Sequence, residues 1–142
     1  RKEKEILEEY QNKYHWFLID EYQDTNQAQY ILTKLLTKKW RNLNAVGDAS
    51  QAIYSWRGAD YHNLLNLKDD FPDLKVINLE RNYRSTETIL EAANSIIKQN
   101  TTHPVLNLWT EKKGGQKISL FQAKNEHQEA DFIIEKVKNL LE

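Results

Sequence analysis

Cysteine and methionine are absent from the 142 residues, and there are only two prolines and four glycines. Without cysteine there are no disulfides, no thiolate metal sites and no thiol nucleophile. The glycines stand at 47, 58, 114 and 115, and none opens a G-x-x-x-x-G-K-[ST] loop, whose backbone amides and lysine cradle phosphates. Apolar runs extend over a handful of residues, too few to span a bilayer. No charged-then-apolar leader is present, so the expected location is cytoplasmic and no membrane partner is expected. The 20 Lys+Arg against 21 Asp+Glu give a formal charge of −1, which excludes a purely polybasic nucleic-acid binder but not a local basic groove. The four histidines, at 15, 62, 103 and 127, have no zinc-ligand spacing, and no G-x-S-x-G elbow supports a serine triad. With no methionine and Arg1 in first place, the chain is expected to be an internal segment of a longer protein.

The residues that are present alternate between helical and strand periods. Ile6, Leu7, Tyr10 and Tyr14 recur at helical spacing, and Trp16 to Ile19 then reads as a short buried strand. Asp24-Thr25-Asn26 offers helix caps before Ala28, Ile31, Leu32, Leu35 and Leu36. Leu43 to Gly47 predicts a second strand, Asp60 caps a helix running to Phe71-Pro72, and Lys75 to Leu79 predicts a third strand. Ser85 is expected to cap a helix carrying Ile89, Leu90, Ala93, Ile96 and Ile97. A loop follows from Asn100 to Gly115, then a fourth strand over Lys117 to Phe121. Asn125 caps a last helix with Ile133, Ile134, Val137, Leu140 and Leu141 expected inward. This order predicts an α/β fold with a mainly parallel sheet, in which ligands bind beyond the carboxyl ends of the strands.

Three polar clusters begin at such strand ends. Asp20-Glu21 is the acidic pair of a Walker B element: the Asp holds Mg²⁺ through a water and the Glu deprotonates the attacking water. The plainer alternative is a strand end with solvated acids, and a Mg²⁺ nuclease would need more convergent acids and a lysine than surround this pair. In the second cluster, Val46 to Asp60, Gln51 can set its amide against a γ-phosphate. Tyr54 and Trp56, with Arg57 beside them, can stack on bases and attract phosphate, or serve as core aromatics. In the third, Leu79 to Ser85, Arg84 lies just before a helix N-terminus and can act as an arginine finger, or pair with Glu80 or Glu87 on the surface. Tyr83 offers a flat face to a nucleotide base. Lys38-Lys39-Trp40-Arg41 reads as a solvated helix end that suits the helix dipole.

D-E-Y-Q-D-T-N, V-G-D-A-S-Q-A-I-Y-S-W-R-G-A-D and L-E-R-N-Y-R-S, in this order, resemble motifs II, III and IV of the UvrD/Rep/PcrA-like superfamily 1 DNA helicases. The resemblance is strongest from Trp16 to Asn100. It implies a partial RecA-like (P-loop NTPase) sheet, with residues 1–80 as the carboxyl half of a first motor domain and 81–142 as the start of a second. It implies ATP and Mg²⁺ as cofactors, 3′-to-5′ translocation on single-stranded DNA, duplex unwinding, and the rest of the helicase chain as a partner. By position, Asp20 matches the Mg²⁺-associated acid, Glu21 the catalytic base and second metal-side acid, and Gln51 the glutamine between γ-phosphate and DNA. Tyr54, Trp56 and Arg57 match DNA-contacting positions, Tyr83 the adenine-stacking tyrosine, and Arg84 the γ-phosphate arginine. Ser50 stands where the family usually has an acid, and Arg81 where glutamine is common. With no phosphate loop, the segment is expected to be inactive alone as an ATPase, and its open edges to favour self-association. The alternative is a non-catalytic single-strand-binding or protein-interaction module that retains helicase motifs as relics.

Overall fold

The computed structural model describes residues 2–141. Helix α1 covers Lys2–Lys13, strand β1 Phe17–Ile19, helix α2 Gln27–Thr37 and strand β2 Leu43–Ala45. The short helices α3 (His62–Leu65) and α4 (Leu67–Asp70) follow, then α5 (Glu87–Ile97) and α6 (Glu126–Leu141). The architecture is mixed α/β: β1 and β2 form a small parallel sheet, with Phe17 opposite Leu43 and Ile19 opposite Ala45, flanked by helices. It corresponds to part of a RecA-like domain.

Helix α2 starts where the sequence caps it. Asn26 accepts from the Gln29 N–H at 3.0 Å while the Gln29 side chain accepts from the Asn26 N–H at 2.9 Å, a reciprocal capping box. The core beneath the sheet end is Tyr22, Tyr30, Leu67 and Phe71, with Ile19, Leu43, Ala45, Leu64 and Leu74 packed against it. Polar pins fix the helices around that core. Gln11 donates to the Leu35 carbonyl at 2.6 Å, and the Trp40 indole N–H donates to the Gln11 carbonyl at 2.6 Å. Asp70 of α4 accepts from the Tyr30 hydroxyl and, at 2.5 Å, from the Lys34 ammonium of α2. Buried Asn63 donates to the Thr25 carbonyl at 2.8 Å, and an antiparallel bridge joins Asn26 to Ala59. These contacts seat residues 48–60 against the start of α2.

The later half is organised on α5. Asn94 of α5 donates to the Leu108 carbonyl at 2.8 Å, and the Glu87 N–H donates to the Lys112 carbonyl at 3.0 Å. Arg81 and Trp109 form an isolated parallel bridge: the Trp109 N–H reaches the Glu80 carbonyl at 3.0 Å and the Asn82 N–H reaches the Trp109 carbonyl at 2.7 Å. Gly115 lies at φ 117°, and a Cβ there would sit 2.4 Å from the Thr86 hydroxyl, so the turn that brings 112–115 onto α5 demands glycine.

The structure departs from the expected pattern at five places. Residues 75–79 and 117–121 form no ladder. Val76, Ile77, Leu79, Ile118 and Leu120 are exposed, and a strand needs a partner to satisfy its backbone groups. Trp16 to Ile19 is not a buried strand throughout, because one face of the two-stranded sheet is uncovered and Leu18 is 77% exposed. The buried face of α2 is Tyr30, Thr33 and Thr37, while Ile31, Leu32 and Leu35 face outward. Helix α5 is capped at Thr86 rather than Ser85; the Asn82 carboxamide instead accepts from the N–H groups of Arg84 (2.9 Å) and Ser85 (2.7 Å). On α6, Ile133, Ile134, Val137, Leu140 and Leu141 are exposed, since among the described residues only the Phe121–Phe132 stack, 4.0 Å between centroids, covers it. Asn125 does cap α6, accepting from the Gln128 N–H at 2.9 Å.

Candidate functional site

Asp20 and Glu21 leave β1 together, as their apolar predecessors dictate. The chain reverses sharply there: Glu21 adopts the left-handed conformation, φ 50°, and its N–H donates to Asp20 Oδ1 at 2.9 Å. Both carboxylates are exposed. A one-turn 3₁₀ helix, Tyr22–Asp24, follows and buries Tyr22 and Gln23. Burial raises the Tyr22 phenol above its usual pKa.

Gln23 is the residue that sequence reasoning missed. It is 1% exposed; its Nε2 donates to Glu21 Oε2 at 2.9 Å, and its Oε1 accepts from the Asp48 N–H at 3.1 Å. Gly47 makes the approach possible, since a Cβ there would lie 2.9 Å from Gln23 Oε1 and 3.3 Å from the Tyr22 backbone nitrogen. Asp48 in turn caps the 3₁₀ turn Ala49–Gln51 by accepting from the Ser50 N–H at 2.9 Å, and its second oxygen accepts from Gln51 Nε2 at 2.8 Å. Asp20, Glu21, Gln23, Asp48 and Gln51 therefore form one hydrogen-bonded run across the ends of the two parallel strands. The first and second clusters meet, as their strand-end positions imply.

The second cluster continues into an exposed aromatic step. The Tyr54 and Trp56 rings lie 6.5 Å apart at 53°, and the Arg57 guanidinium stands 5.9 Å from one centroid and 5.6 Å from the other. Gly58, at φ 83°, closes the turn that carries them. Trp56 is 78% exposed, so it is not a core aromatic. Beyond the step, Asp60 accepts from the His62 N–H at 3.0 Å and from its imidazole at 2.6 Å, and these two contacts hold the carboxyl below its usual range.

Tyr83 and Arg84 share no hydrogen bond or ion pair with the first two clusters among the described residues. The surface pairing that Arg84 might have made with Glu87 is pre-empted, because Lys113 takes Glu87 at 2.5 Å. The Arg84 guanidinium makes no ion pair among the described residues, while its carbonyl accepts from Lys112 at 3.2 Å. Ser50 is the link between the halves: its hydroxyl lies 3.1 Å from His103 Nε2, and the His103 ring packs 5.3 Å from Tyr61.

The donor set fits Mg²⁺ held with a nucleotide rather than in a protein cage. No group of three or more Asp, Glu or His side chains converges among the described residues. Mg²⁺ at phosphoryl-transfer sites keeps several waters and takes one or two carboxylates plus substrate phosphates. Asp20, with Oδ2 free of hydrogen bonds among the described residues, suits that role, and the ion would neutralise phosphate charge there.

Strand-end acids, a glutamine-bearing turn and an aromatic step define the class of a nucleotide-driven nucleic-acid motor. Family comparison agrees: residues 1–72 match the UvrD/REP helicase N-terminal domain, and residues 77–142 match the UvrD-like helicase C-terminal domain. The chain belongs to the UvrD/REP helicase family. It is 50% identical over 133 residues to the ATP-dependent DNA helicase PcrA of Staphylococcus epidermidis, and 51% identical over 133 residues to that of Staphylococcus aureus. Each alignment covers 94% of this chain and 18% of the relative, so the chain spans about a fifth of the length of the curated relatives it matches. No helix among the described residues is long and apolar enough to cross a membrane.

Proposed function

We propose that this chain is the junction of the two motor domains of an ATP-dependent DNA helicase, with residues 1–80 closing the first and 81–142 opening the second. The observation that carries the reading is the hydrogen-bonded run from Glu21 through Gln23 and Asp48 to Gln51, which leads to the exposed Tyr54–Trp56–Arg57 step. A nucleotide-side carboxylate and a base-binding surface are thereby mechanically joined. The relatives' name, ATP-dependent DNA helicase, supports the same reading.

In this scheme Asp20 holds the Mg²⁺ that accompanies ATP, and Glu21 accepts the proton of the attacking water. Gln51 senses the γ-phosphate, Tyr83 stacks on the adenine, and Arg84 approaches the γ-phosphate when the domains close. The shift of Gln51 travels along the 3₁₀ turn to Tyr54 and Trp56, which grip single-stranded DNA with Arg57 beside them. Repeated closure then moves the strand, in the 3′-to-5′ sense that the family resemblance implies. The 142 residues alone are expected to hydrolyse no ATP, and their exposed apolar faces favour self-association.

The test is Glu21→Gln in the full-length protein. The variant should bind ATP and single-stranded DNA and lose DNA-stimulated hydrolysis. Turnover within a few-fold of wild type would refute the assignment of Glu21 as the base.

A further inference from the structure

Two arginines flank Tyr83, and the structure gives them different situations. Arg84 makes no ion pair among the described residues, whereas Arg81 is fully engaged. Its guanidinium stands 4.8 Å from the Tyr83 ring centroid and 5.5 Å from that of Trp109, and it is ion-paired with Glu111. The backbone reinforces the arrangement, because Trp109 is bridged to Arg81 by the two hydrogen bonds that flank it. Glu111 neutralises the cation, so Arg81 is not available as a phosphate ligand. A planar, weakly hydrated guanidinium between two aromatic rings acts instead as a spacer that fixes the orientation of both. Tyr83 is 70% exposed and has no hydrogen-bond partner for its hydroxyl among the described residues, so Arg81 is what restrains its ring.

We propose that Arg81 is a positioning residue for the nucleotide base: held between Trp109 and Tyr83 and neutralised by Glu111, it presents the uncovered face of Tyr83 as a rigid platform for a purine. This rests on the reading of Tyr83 as the base-stacking residue. The Trp109–Glu111 arm thus belongs to the nucleotide site, although it lies far along the chain from it.

The experiment uses the full-length protein and compares ATP with inorganic tripolyphosphate, a competitor that carries the phosphates without the base. Arg81→Gln should raise the KM for ATP about 3- to 10-fold, the scale of one lost cation–π contact, and leave kcat within about twofold. Inhibition by tripolyphosphate should be unchanged. Glu111→Gln, which releases Arg81 without removing it, should shift KM in the same direction by less. Tyr83→Ala separates the two layers of the claim. A raised KM for Tyr83→Ala with no change for Arg81→Gln or Glu111→Gln overturns the role of Arg81 and leaves Tyr83 in place. No change for Tyr83→Ala overturns both. Weakened tripolyphosphate binding in Arg81→Gln overturns the proposal by making Arg81 a phosphate contact.

Discussion

Gln23 joins Glu21 to Asp48 through the two ends of one buried carboxamide, donating 2.9 Å to the carboxylate and accepting 3.1 Å from the backbone of the neighbouring strand end. The contact sets the Glu21 side chain and fixes the spacing of the two strand ends at once. Gln23→Ala leaves the Asp48 N–H without its partner, a cost of about 1–3 kcal/mol in unfolding free energy. It also frees Glu21 to rotate. In the full-length protein, DNA-stimulated kcat should fall about 10- to 100-fold with little change in the KM for ATP, the pattern of a lost transition-state interaction. Steady-state hydrolysis and urea unfolding read the two effects separately. An unchanged kcat would show that Glu21 needs no such support.

Trp56 extends beyond the rest of its turn, with only Arg57 and Tyr54 near its ring. Trp56→Ala should weaken single-stranded DNA binding by about 1–3 kcal/mol, the value of one base–aromatic stack. Stability should hardly change, because the ring covers no core. Fluorescence anisotropy with a labelled oligonucleotide is the direct measurement. Equal affinity in variant and wild type would remove Trp56 from the DNA surface.

The Tyr30–Asp70–Lys34 pin makes stability depend on pH. Burial works against ionisation of Asp70, but the Lys34 ammonium and the Tyr30 hydroxyl outweigh it and hold the carboxyl below its ordinary value. Burial, then the Asp70 contact, raises Tyr30; the Asp70 contact raises Lys34. The depressed Asp70 adds stability above the usual carboxylate pKa, and this is lost as pH falls through the folded value. The raised Tyr30 and Lys34 add stability below their unfolded values, and this is lost as pH rises through the folded ones. Asp70→Asn should cost about 1.5–3 kcal/mol at neutral pH, mostly through the buried tyrosine contact, since exposed Lys34 is screened by solvent. It should also flatten the acid limb of the unfolding midpoint against pH. An acid limb as steep as wild type would place the titration elsewhere.

How much of this was legible beforehand depends on how local the signal is. The acids after β1, the Asn26–Gln29 cap, the parallel pairing and the exposed aromatic step all rest on short spacings, and each was readable. Residues 75–79 and 117–121 carry apolar residues suited to strands, but pattern alone cannot supply the partner that a ladder needs. The buried face of α2 was misjudged because Thr33 and Thr37 satisfy their hydroxyls on carbonyls one turn back and so pack inward, where Ile31 and Leu32 were expected. Gln23 gave no signal in isolation; its role appears once Gly47 allows the second strand end to approach it. Arg81 and Arg84 look equivalent in sequence, and only Trp109 and Glu111 decide which of them is occupied.

The central claim is that Arg84, uncommitted to any ion pair among the described residues, comes to the γ-phosphate opposite Glu21 when the two motor domains close. Replacing it with alanine in the full-length protein and measuring single-stranded-DNA-stimulated ATP hydrolysis tests that claim most directly. The account predicts unchanged folding, retained DNA binding and a fall in turnover of about 10³-fold or more, the scale of a lost arginine finger. Turnover near the wild-type rate, with the variant properly folded, would contradict it.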